Sequence, residues 1–561
     1  MLCYWKYSIG GCAETRLNQP DAAKGACMPG TTDNRPRVVW INVAGLSGPV
    51  FYELLDNGDL PNFGQAFRNS ARVERCASVF PSATLPCQAS LATGCHPGRH
   101  GILGNLWFDR FGKQPKYRNY AQNNSALDIM GLKLFGAPTA HLPPRAGPAL
   151  ANSDLSGSAR TLYEELNLRK VRTGIVFNHI SRGARDWLRP NRLDIAQFSM
   201  CQKGRLEFSH FERSTVRRAI HYLEDCRRLP RVFMVFFAGL DGHTHRHGVR
   251  AQHGYVRTVL DPLFGRLIEA LREYDPPHTD ILHDYTFVLT SGHGNAQAIS
   301  DKHHAVASTD IAAILREHGR LPFFFETQER LKSVDCILLN HGGSMHIAVK
   351  NGETHNWYDP PNLRNDLFAL GVALFDASRK PRGLIHPDWL DLILIKDNEN
   401  KRYLVLKDHK VYEAEKFFLN KQYRNSYPDA PSRLCGHFAQ RSADIILLSN
   451  YDQGFHFTVK NPRASIHGGL AAHDSLAAML FSGNRINPQI IPEASITQLA
   501  PTIASLFDTN ITSAQGEPLP IVSKSSLMQL FSEDLYNRPN NGSDVRIGPQ
   551  GEPQPPHAAD E

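Results

Sequence analysis

Three patterns that often decide the class of a protein are missing from this sequence of 561 residues. No stretch approaches the roughly 20 consecutive apolar residues of a membrane-spanning helix, so we expect no membrane partner. None of the 10 cysteines stands in a Cys-x-x-Cys pair, which argues against a zinc ribbon. The first ten residues hold no sustained apolar stretch of the kind that a signal peptide needs. We therefore expect a cytoplasmic protein with mostly reduced thiols.

Strong charge of either sign is also missing. The chain has 62 Lys and Arg against 55 Asp and Glu, a net charge of +7, and no basic run stands out. We therefore expect no nucleic-acid polymer as a partner, although a modest positive charge is compatible with a small anionic ligand. Hydrophobic residues make up 41% and charged residues 21%, which is ordinary for a large globular protein. The oligomeric state has no signature in the sequence.

The most informative segment joins a short apolar run to a cluster of polar side chains. The run Val232–Phe237 is bounded by Arg231 and Gly239, which predicts a buried strand of a parallel sheet. Asp241 and His245 follow, in what we predict to be the loop past that strand, where ligands commonly bind. An Asp with a His suits zinc or a similar ion, and the alternative is a polar loop without metal.

Five further segments add to the evidence from the Asp241 segment. They are VVWINVAGL from Val38, FPSATLPCQASLATG from Phe80, HPGRHGI from His96, FVLTSGHG from Phe287 and SIHGG from Ser465. In this order and spacing the set resembles the alkaline phosphatase superfamily, and within it the type I phosphodiesterase and nucleotide pyrophosphatase branch. The resemblance covers roughly residues 37–320 and 440–510. It implies an α/β fold whose mostly parallel central sheet has helices on both faces, and the alternation of strand and helix patterns along the chain predicts the same.

The resemblance also assigns roles to five residues. It implies Thr84 as the nucleophile of a phosphoryl-transfer reaction. It implies Asp241, His245 and His467 as ligands of the metal ion farther from the nucleophile. His293 is implied as a ligand of the nucleophile-side ion. Because one carboxylate and two imidazoles form a three-ligand set with an open position, we expect one tight divalent ion, with zinc as the expected metal.

Two positions depart from the family pattern, which has an Asp at each. This chain has Ala44 and Gly292 there, and both missing carboxylates belong to the nucleophile-side ion. The ligands left on that side, the Thr84 hydroxyl and His293, are neutral, and a neutral pair binds a divalent cation weakly. We therefore expect the second metal site to be depleted. Side chains that could compensate are Cys87, for which packing is the alternative role, and the imidazoles of His243, His247, His303 and His304.

The order of the strand and helix patterns predicts the domain organisation. Residues 351–440 break the rhythm with two apolar runs, 390–395 and 402–407, that predict an antiparallel hairpin. We interpret this stretch as a small inserted α+β subdomain, either a lid over the site or a structural insertion. The predicted parts are an irregular lead (1–36), an alkaline phosphatase-like core (37–350 and 441–537), the inserted cap (351–440) and a disordered tail (538–561).

Three functions are consistent with these residues, and a fold resemblance does not choose among them. The first is a metal-dependent phosphodiesterase or nucleotide pyrophosphatase-like hydrolase, acting on a small phosphate ester. The second is an impaired pseudoenzyme that binds a phosphate ester or a protein partner. The third is a one-metal transferase or isomerase on the same fold. Retention of Thr84 argues for continued ligand binding, whereas Ala44 and Gly292 argue against fast hydrolysis.

Overall fold

Two sheets, one mostly parallel and one mostly antiparallel, organise the chain. The computed structural model describes residues 35–111, 116–120, 150–226, 229–275, 280–323, 333–459 and 461–523. The described residues from Pro36 onward form one compact unit. The predicted tail, and all but the last two residues of the predicted lead, lie outside the described residues.

The strands of the described residues are labelled in chain order. They are β1 (Val38–Val43), β2 (Ser70–Ala77), β3 (Leu106–Asp109), β4 (Lys116–Asn119), β5 (Thr173–Val176), β6 (Asp186–Leu188), β7 (Val232–Phe237), β8 (Thr286–Thr290), β9 (Ala296–Gln297), β10 (Ala305–Ala307), β11 (Pro322–Phe323), β12 (Cys336–Asn340), β13 (Ser344–Val349), β14 (Leu390–Asp397), β15 (Arg402–Lys407), β16 (Lys410–Glu413), β17 (Ile445–Ser449), β18 (His456–Thr458), β19 (Ser465–Ile466), β20 (Leu476–Ala477), β21 (Met479–Ser482) and β22 (Gln489–Ser495).

The α-helices are labelled in the same way, and none of those described is long and apolar enough to span a bilayer. They are α1 (Gly48–Asp56), α2 (Pro61–Phe67), α3 (Thr84–Thr93), α4 (Pro97–His100), α5 (Leu150–Asp154), α6 (Leu162–Leu168), α7 (Arg192–Gln202), α8 (Phe208–Asp225), α9 (Gly239–His247), α10 (Ala251–Tyr255), α11 (Asp261–Tyr274), α12 (Ile281–Asp284), α13 (Ser308–Glu317), α14 (Ala369–Ser378), α15 (Ala414–Leu419), α16 (Lys421–Arg424), α17 (Ala430–His437), α18 (Ala472–Ser475) and α19 (Leu499–Ser505). The π-helical segments Val256–Leu260 and Leu363–Phe368 lead into α11 and α14.

The larger sheet has nine strands, in the order β20–β2–β21–β8–β1–β7–β5–β6, with β22 pairing with β2. Strands β8, β1, β7, β5 and β6 run parallel, whereas β21 is antiparallel to β8. Every residue of β1 and β7 is buried, as expected of strands covered on both faces. Neighbouring residues of β1 enter two different hydrophobic clusters, Trp40 one and Ile41 the other. The α/β fold predicted from the sequence is confirmed.

Helix α11 shows how the covering layer forms. Its buried apolar residues recur at spacings of three and four from Leu263 to Leu271, which gives the helix one apolar face. At its first position, the Asp261 carboxylate accepts hydrogen bonds from the backbone N–H groups of Asn62 and Phe63, at 3.1 and 2.9 Å. Asp261 therefore satisfies the free donors at the start of α2 and ties two helices together.

The smaller sheet has seven strands, in the order β11–β12–β13–β17–β14–β15–β16. The predicted hairpin is present as β14 and β15, which pair antiparallel with Ile393 opposite Leu406. Strand β17 pairs with both β13 and β14, so strands of the predicted insertion and of the predicted core share one sheet. The division at residues 350 and 441 therefore crosses a continuous ladder of hydrogen bonds, and a separate inserted subdomain stays a prediction.

The topology brings the functional candidates to one edge of the larger sheet. Strands β1, β7 and β8 are parallel neighbours, so the segments that follow them start at the same edge. Ala44 comes directly after β1 and Gly292 two residues after β8. Helix α3 begins at Thr84, and His467 follows β19. The carboxyl edge of parallel strands is where open α/β sheets bind ligands.

Candidate functional site

Asp241 and His245 lie on a helix, not in the loop that the sequence predicted. Helix α9 starts two residues after β7 ends and places Asp241 in its first turn. Residues four apart on a helix share a face, so His245 lies beside Asp241 with Nε2 3.5 Å from Oδ2. The loop prediction was wrong because α9 buries only Gly239, Leu240 and Thr244. The segment therefore lacks the apolar periodicity from which a helix is predicted.

His467 completes a cluster of three side chains with Asp241 and His245. Its Nε2 atom lies 3.7 Å from the same Oδ2 atom of Asp241. One ligand atom from each residue lies within 4.8 Å of those of the other two. The structure therefore brings together the three residues that the resemblance implied as ligands of one ion, although they come from segments more than 200 residues apart.

Backbone carbonyl groups orient both imidazoles. Nδ1 of His245 donates to the carbonyl oxygen of Ser465 at 2.8 Å, and Nδ1 of His467 donates to that of Ser82 at 3.0 Å. Because a carbonyl can only accept, these bonds place a proton on each Nδ1, so that in the neutral tautomer each Nε2 offers its lone pair beside Asp241. This is the arrangement in which metal-binding histidines are held in proteins.

The charges of the cluster also suit a cation. Burial alone would raise the pKa of Asp241, but the facing His245 and His467 imidazoles outweigh it and hold the pKa well below its usual value. Burial lowers the pKa of His467. Near pH 7 Asp241 is therefore an anion and His467 is neutral, and metal ligands need these protonation states.

Gly45 and Asn295 position the carboxylate from behind. Nδ2 of Asn295 donates to the Gly45 carbonyl at 2.9 Å and to Oδ1 of Asp241 at 3.3 Å. A Cβ atom on Gly45, whose φ is +69°, would lie only 2.5 Å from Oδ1 of Asp241. Only glycine permits this approach. Asn295 was not predicted from the sequence, where its one signal is a polar side chain two residues beyond His293.

Thr84 faces an imidazole of its own. Its Oγ1 atom lies 3.4 Å from Nε2 of His293, and Nδ1 of His293 donates to the carbonyl oxygen of Gly294 at 2.8 Å. Burial, assisted by the neighbouring His467, lowers the pKa of His293 to about 4. The ring is therefore neutral near pH 7, with a lone pair on the nitrogen that faces the Thr84 hydroxyl. A neutral imidazole in this position can accept the hydroxyl proton.

The two positions that lack carboxylates are closely packed. Ala44 is buried and lines the same cavity as Thr84. A Cβ atom on Gly292 would lie 2.8 Å from the Cβ atom of Cys87, closer than unbonded carbon atoms approach. Burial raises the pKa of the Cys87 thiol to about 12, so this residue is a neutral thiol near pH 7. Cys87 occupies space that a side chain at 292 would need, which supports a packing role.

The other candidate imidazoles do not reach the cluster. His303 and His304 are absent from the described lining of the cavity, and Nδ1 of His304 lies 2.8 Å from Oδ1 of Asp301. His243 and His247 belong to α9 but form a different group.

Thr84 and the Asp241, His245 and His467 cluster line one cavity of about 680 Å³. Arg463 is the one Lys or Arg among its described lining residues, and its exposed side chain offers a cation for a phosphate. Arg463 was not predicted from the sequence, because a single Arg in a polar loop has no distinguishing pattern.

An aromatic wall gives the cavity a second character. It consists of Phe177, Phe198, Phe208, Phe211 and Phe236. None of the residues 351–440, all of which the structure describes, lines the cavity. The lid role predicted for them is therefore without support from the cavity.

Comparisons with known proteins identify the family of this chain and solved structures with a similar fold. The model of the family described as type I phosphodiesterase / nucleotide pyrophosphatase matches residues 38–470. A search of curated proteins gives no match. Two solved structures of murine ectonucleotide pyrophosphatase / phosphodiesterase 5 are similar, one of them an inactive variant in complex with AMP. The AMP complex is 14% identical and the other 15%, each with a TM-score of 0.51, covering 88% of this chain and 99% of theirs. At such identities the similarity shows the fold alone.

Proposed function

This chain belongs to the type I phosphodiesterase / nucleotide pyrophosphatase family, and on that premise we propose that it is a slow, metal-dependent phosphodiesterase with Thr84 as its nucleophile. One observation carries the proposal. The Thr84 hydroxyl and the cluster of Asp241, His245 and His467 line the same cavity, so one phosphate could meet both.

The cluster fits a divalent ion such as zinc. One carboxylate oxygen and two Nε2 lone pairs converge, and backbone carbonyls hold both imidazoles in the tautomer that ligation needs. Asp241, His245 and His467 would hold the ion, which would supply positive charge for the phosphate oxygens and polarise water.

His293 gives Thr84 a proton acceptor that depends on no second ion. As the Thr84 oxygen bonds to phosphorus and the bond to the leaving alcohol breaks, the hydroxyl proton passes to Nε2 of His293, 3.4 Å away. The leaving alcohol takes its proton from water, and water later cleaves the phospho-threonine. An imidazole whose pKa is about 4 is a weak base, so this step is slow.

The rest of the cavity suits a phosphate that carries an apolar group. Arg463 offers a guanidinium to a phosphate oxygen, and the aromatic wall gives ring faces for a base or another flat group. The murine relative in its AMP complex has a similar fold, and AMP is therefore a reasonable probe for this chain.

A second candidate, a phosphate-ester-binding pseudoenzyme, is favoured by the nucleophile side of the site. Ala44 and Gly292 offer no anionic ligand, and the Cβ of Cys87 leaves no room for a side chain at 292. Such a protein would keep the single ion and the cavity while turnover is lost.

Hydrolysis of a chromogenic phosphodiester in the presence of zinc separates the two candidates. We expect slow turnover that Thr84→Ala abolishes and that Thr84→Ser, which keeps a hydroxyl, retains in part. Replacing His293 with Phe should slow the reaction without preventing AMP binding. Calorimetric AMP binding without hydrolysis would support the pseudoenzyme, and turnover that survives Thr84→Ala would rule out Thr84 as the nucleophile.

A further inference from the structure

The helix that carries Asp241 and His245 presents a second pair of histidines. His243 and His247 are also four apart, so they share a face of α9. Two residues along a helix turn it by about 200°, which places this pair on the side opposite Asp241 and His245. The two rings lie with centroids 4.6 Å apart. This pair therefore lies apart from the cavity, which His243 and His247 do not line among the described residues.

A carboxylate from the residue that precedes a different helix joins this pair. Glu207 is the residue before α8, and its side chain accepts no capping hydrogen bond there. One ligand atom each from Glu207, His243 and His247 lies within 4.8 Å of those of the other two. Glu207 and His247 are exposed and His243 is half-buried, so an ion could reach the group from solvent.

The ring of His243 is held in place and is incompletely bonded. It packs on the ring of Tyr255 with centroids 4.7 Å apart, and its Nδ1 atom is buried without a hydrogen-bond partner. An ion bonded to Nδ1 itself would offset the free-energy cost of leaving this buried nitrogen without a partner. Packing also removes rotamer freedom from His243, and less entropy is then lost when an ion binds.

We propose that Glu207, His243 and His247 form a second divalent-metal site, distinct from the site in the cavity. Two imidazoles and one carboxylate are a zinc-type ligand set, and two His four apart on a helix suit a single ion. Water would complete the coordination at this exposed face. A bound ion links the start of α8 to α9, the helix that also positions Asp241 and His245. The site therefore stabilises the helix that carries two cavity ligands. Its ligand set suits zinc and the related transition metals.

Zinc stoichiometry of the full-length protein tests this site. Chelator-treated protein is dialysed against buffered zinc, and the bound metal is counted for four proteins. They are the unaltered chain, Glu207→Gln/His247→Ala, Asp241→Asn/His467→Ala, and the control His221→Ala. Both residues of the first double variant are exposed, so folding should survive. His221 is a matched control because it also contacts a glutamate, with Nδ1 3.3 Å from Oε2 of Glu224, on the surface of α8.

We expect Glu207→Gln/His247→Ala to bind one zinc fewer than the unaltered chain, and His221→Ala to bind the same number. Zinc should also raise the thermal midpoint of the Asp241→Asn/His467→Ala variant, which keeps only the surface site. An unchanged count in Glu207→Gln/His247→Ala would overturn the proposal. If the cavity site fails instead, Asp241→Asn/His467→Ala will keep the full count of the unaltered chain, so the two failures are distinguishable.

Discussion

Rebuilding the nucleophile-side carboxylates requires space that Cys87 now fills. A Cβ atom at position 292 would lie 2.8 Å from the Cys87 Cβ atom, and both residues are buried. Overpacking of this kind costs about 1–3 kcal/mol of the free energy of unfolding. The φ of Gly292 is not in the left-handed region, so the expected cost of Gly292→Ala comes from this contact and not from backbone strain.

A double-mutant cycle measured by chemical denaturation isolates the contact. Cys87→Gly removes the offending Cβ atom, so Gly292→Ala should be about 1–3 kcal/mol less costly in that background than in the unaltered chain. Cys87→Ala keeps the Cβ atom and is the matched control, with a coupling near zero. The intrinsic cost of glycine within α3, about 1 kcal/mol, cancels in the cycle. If Gly292→Ala showed the same coupling energy with Cys87→Gly as with Cys87→Ala, the steric explanation would be refuted.

The same contact determines which substitutions are needed to restore the second metal site. Ala44→Asp with Gly292→Asp should recruit a second ion and raise phosphodiesterase activity most when Cys87→Gly is also present. Each single restoration should do much less, because the two carboxylates act as a unit on one ion. Thr84→Ala should abolish the gain. A gain that survives Thr84→Ala would mean that the recruited ion activates water instead.

Two further predictions concern the cavity ligands and the response to acid. Gly45→Ala and Gly58→Ala both place alanine at positive φ, +69° and +77°, which should cost each about 1–2 kcal/mol of stability, and the contact with Asp241 should add to the cost at Gly45. Only Gly45→Ala should weaken zinc binding measured by calorimetry, because its Cβ atom would meet Asp241, whereas nothing lies within 4 Å of a Cβ atom at Gly58. Equal loss of zinc affinity in the two variants would contradict this. Burial lowers the pKa of His437 from 6.5 to about 3. Between pH 3 and pH 6.5 the unfolded chain therefore binds a proton at His437 that the folded chain does not bind. The free energy of unfolding should then decrease as the pH falls from 6.5 towards 3. His437→Phe should remove about 1.4 kcal/mol per pH unit from the slope of unfolding free energy in that window, and an unchanged slope in urea denaturation would contradict the assignment.

Local patterns predicted the parts of the site that chain order determines. The apolar runs of β1 and β7 predicted two buried strands, which pair in parallel, and the segment after β7 was predicted to carry the candidate metal ligands Asp241 and His245. Their position on a helix was missed, because α9 packs through too few apolar residues to show periodicity. What depends on distant packing could not be predicted from the sequence.

The contact between Gly292 and Cys87 depends on such distant packing, because it requires α3 to pack against the end of β8. The same is true of Glu207, which meets His243 and His247 only because α8 and α9 are neighbours. The pairing of β17 with β14 likewise joins residues that the sequence divided into core and insertion. The cytoplasmic location stays a prediction.

The number of zinc ions bound in the cavity is the most direct test of one intact and one depleted metal site. The Glu207→Gln/His247→Ala protein removes the proposed surface site, so the remaining zinc reports on the cavity. We predict one ion per chain in that protein, and none after the further change His467→Ala. Two tightly bound ions, or one ion that survives His467→Ala, would contradict the assignment of Asp241, His245 and His467 as the single intact site.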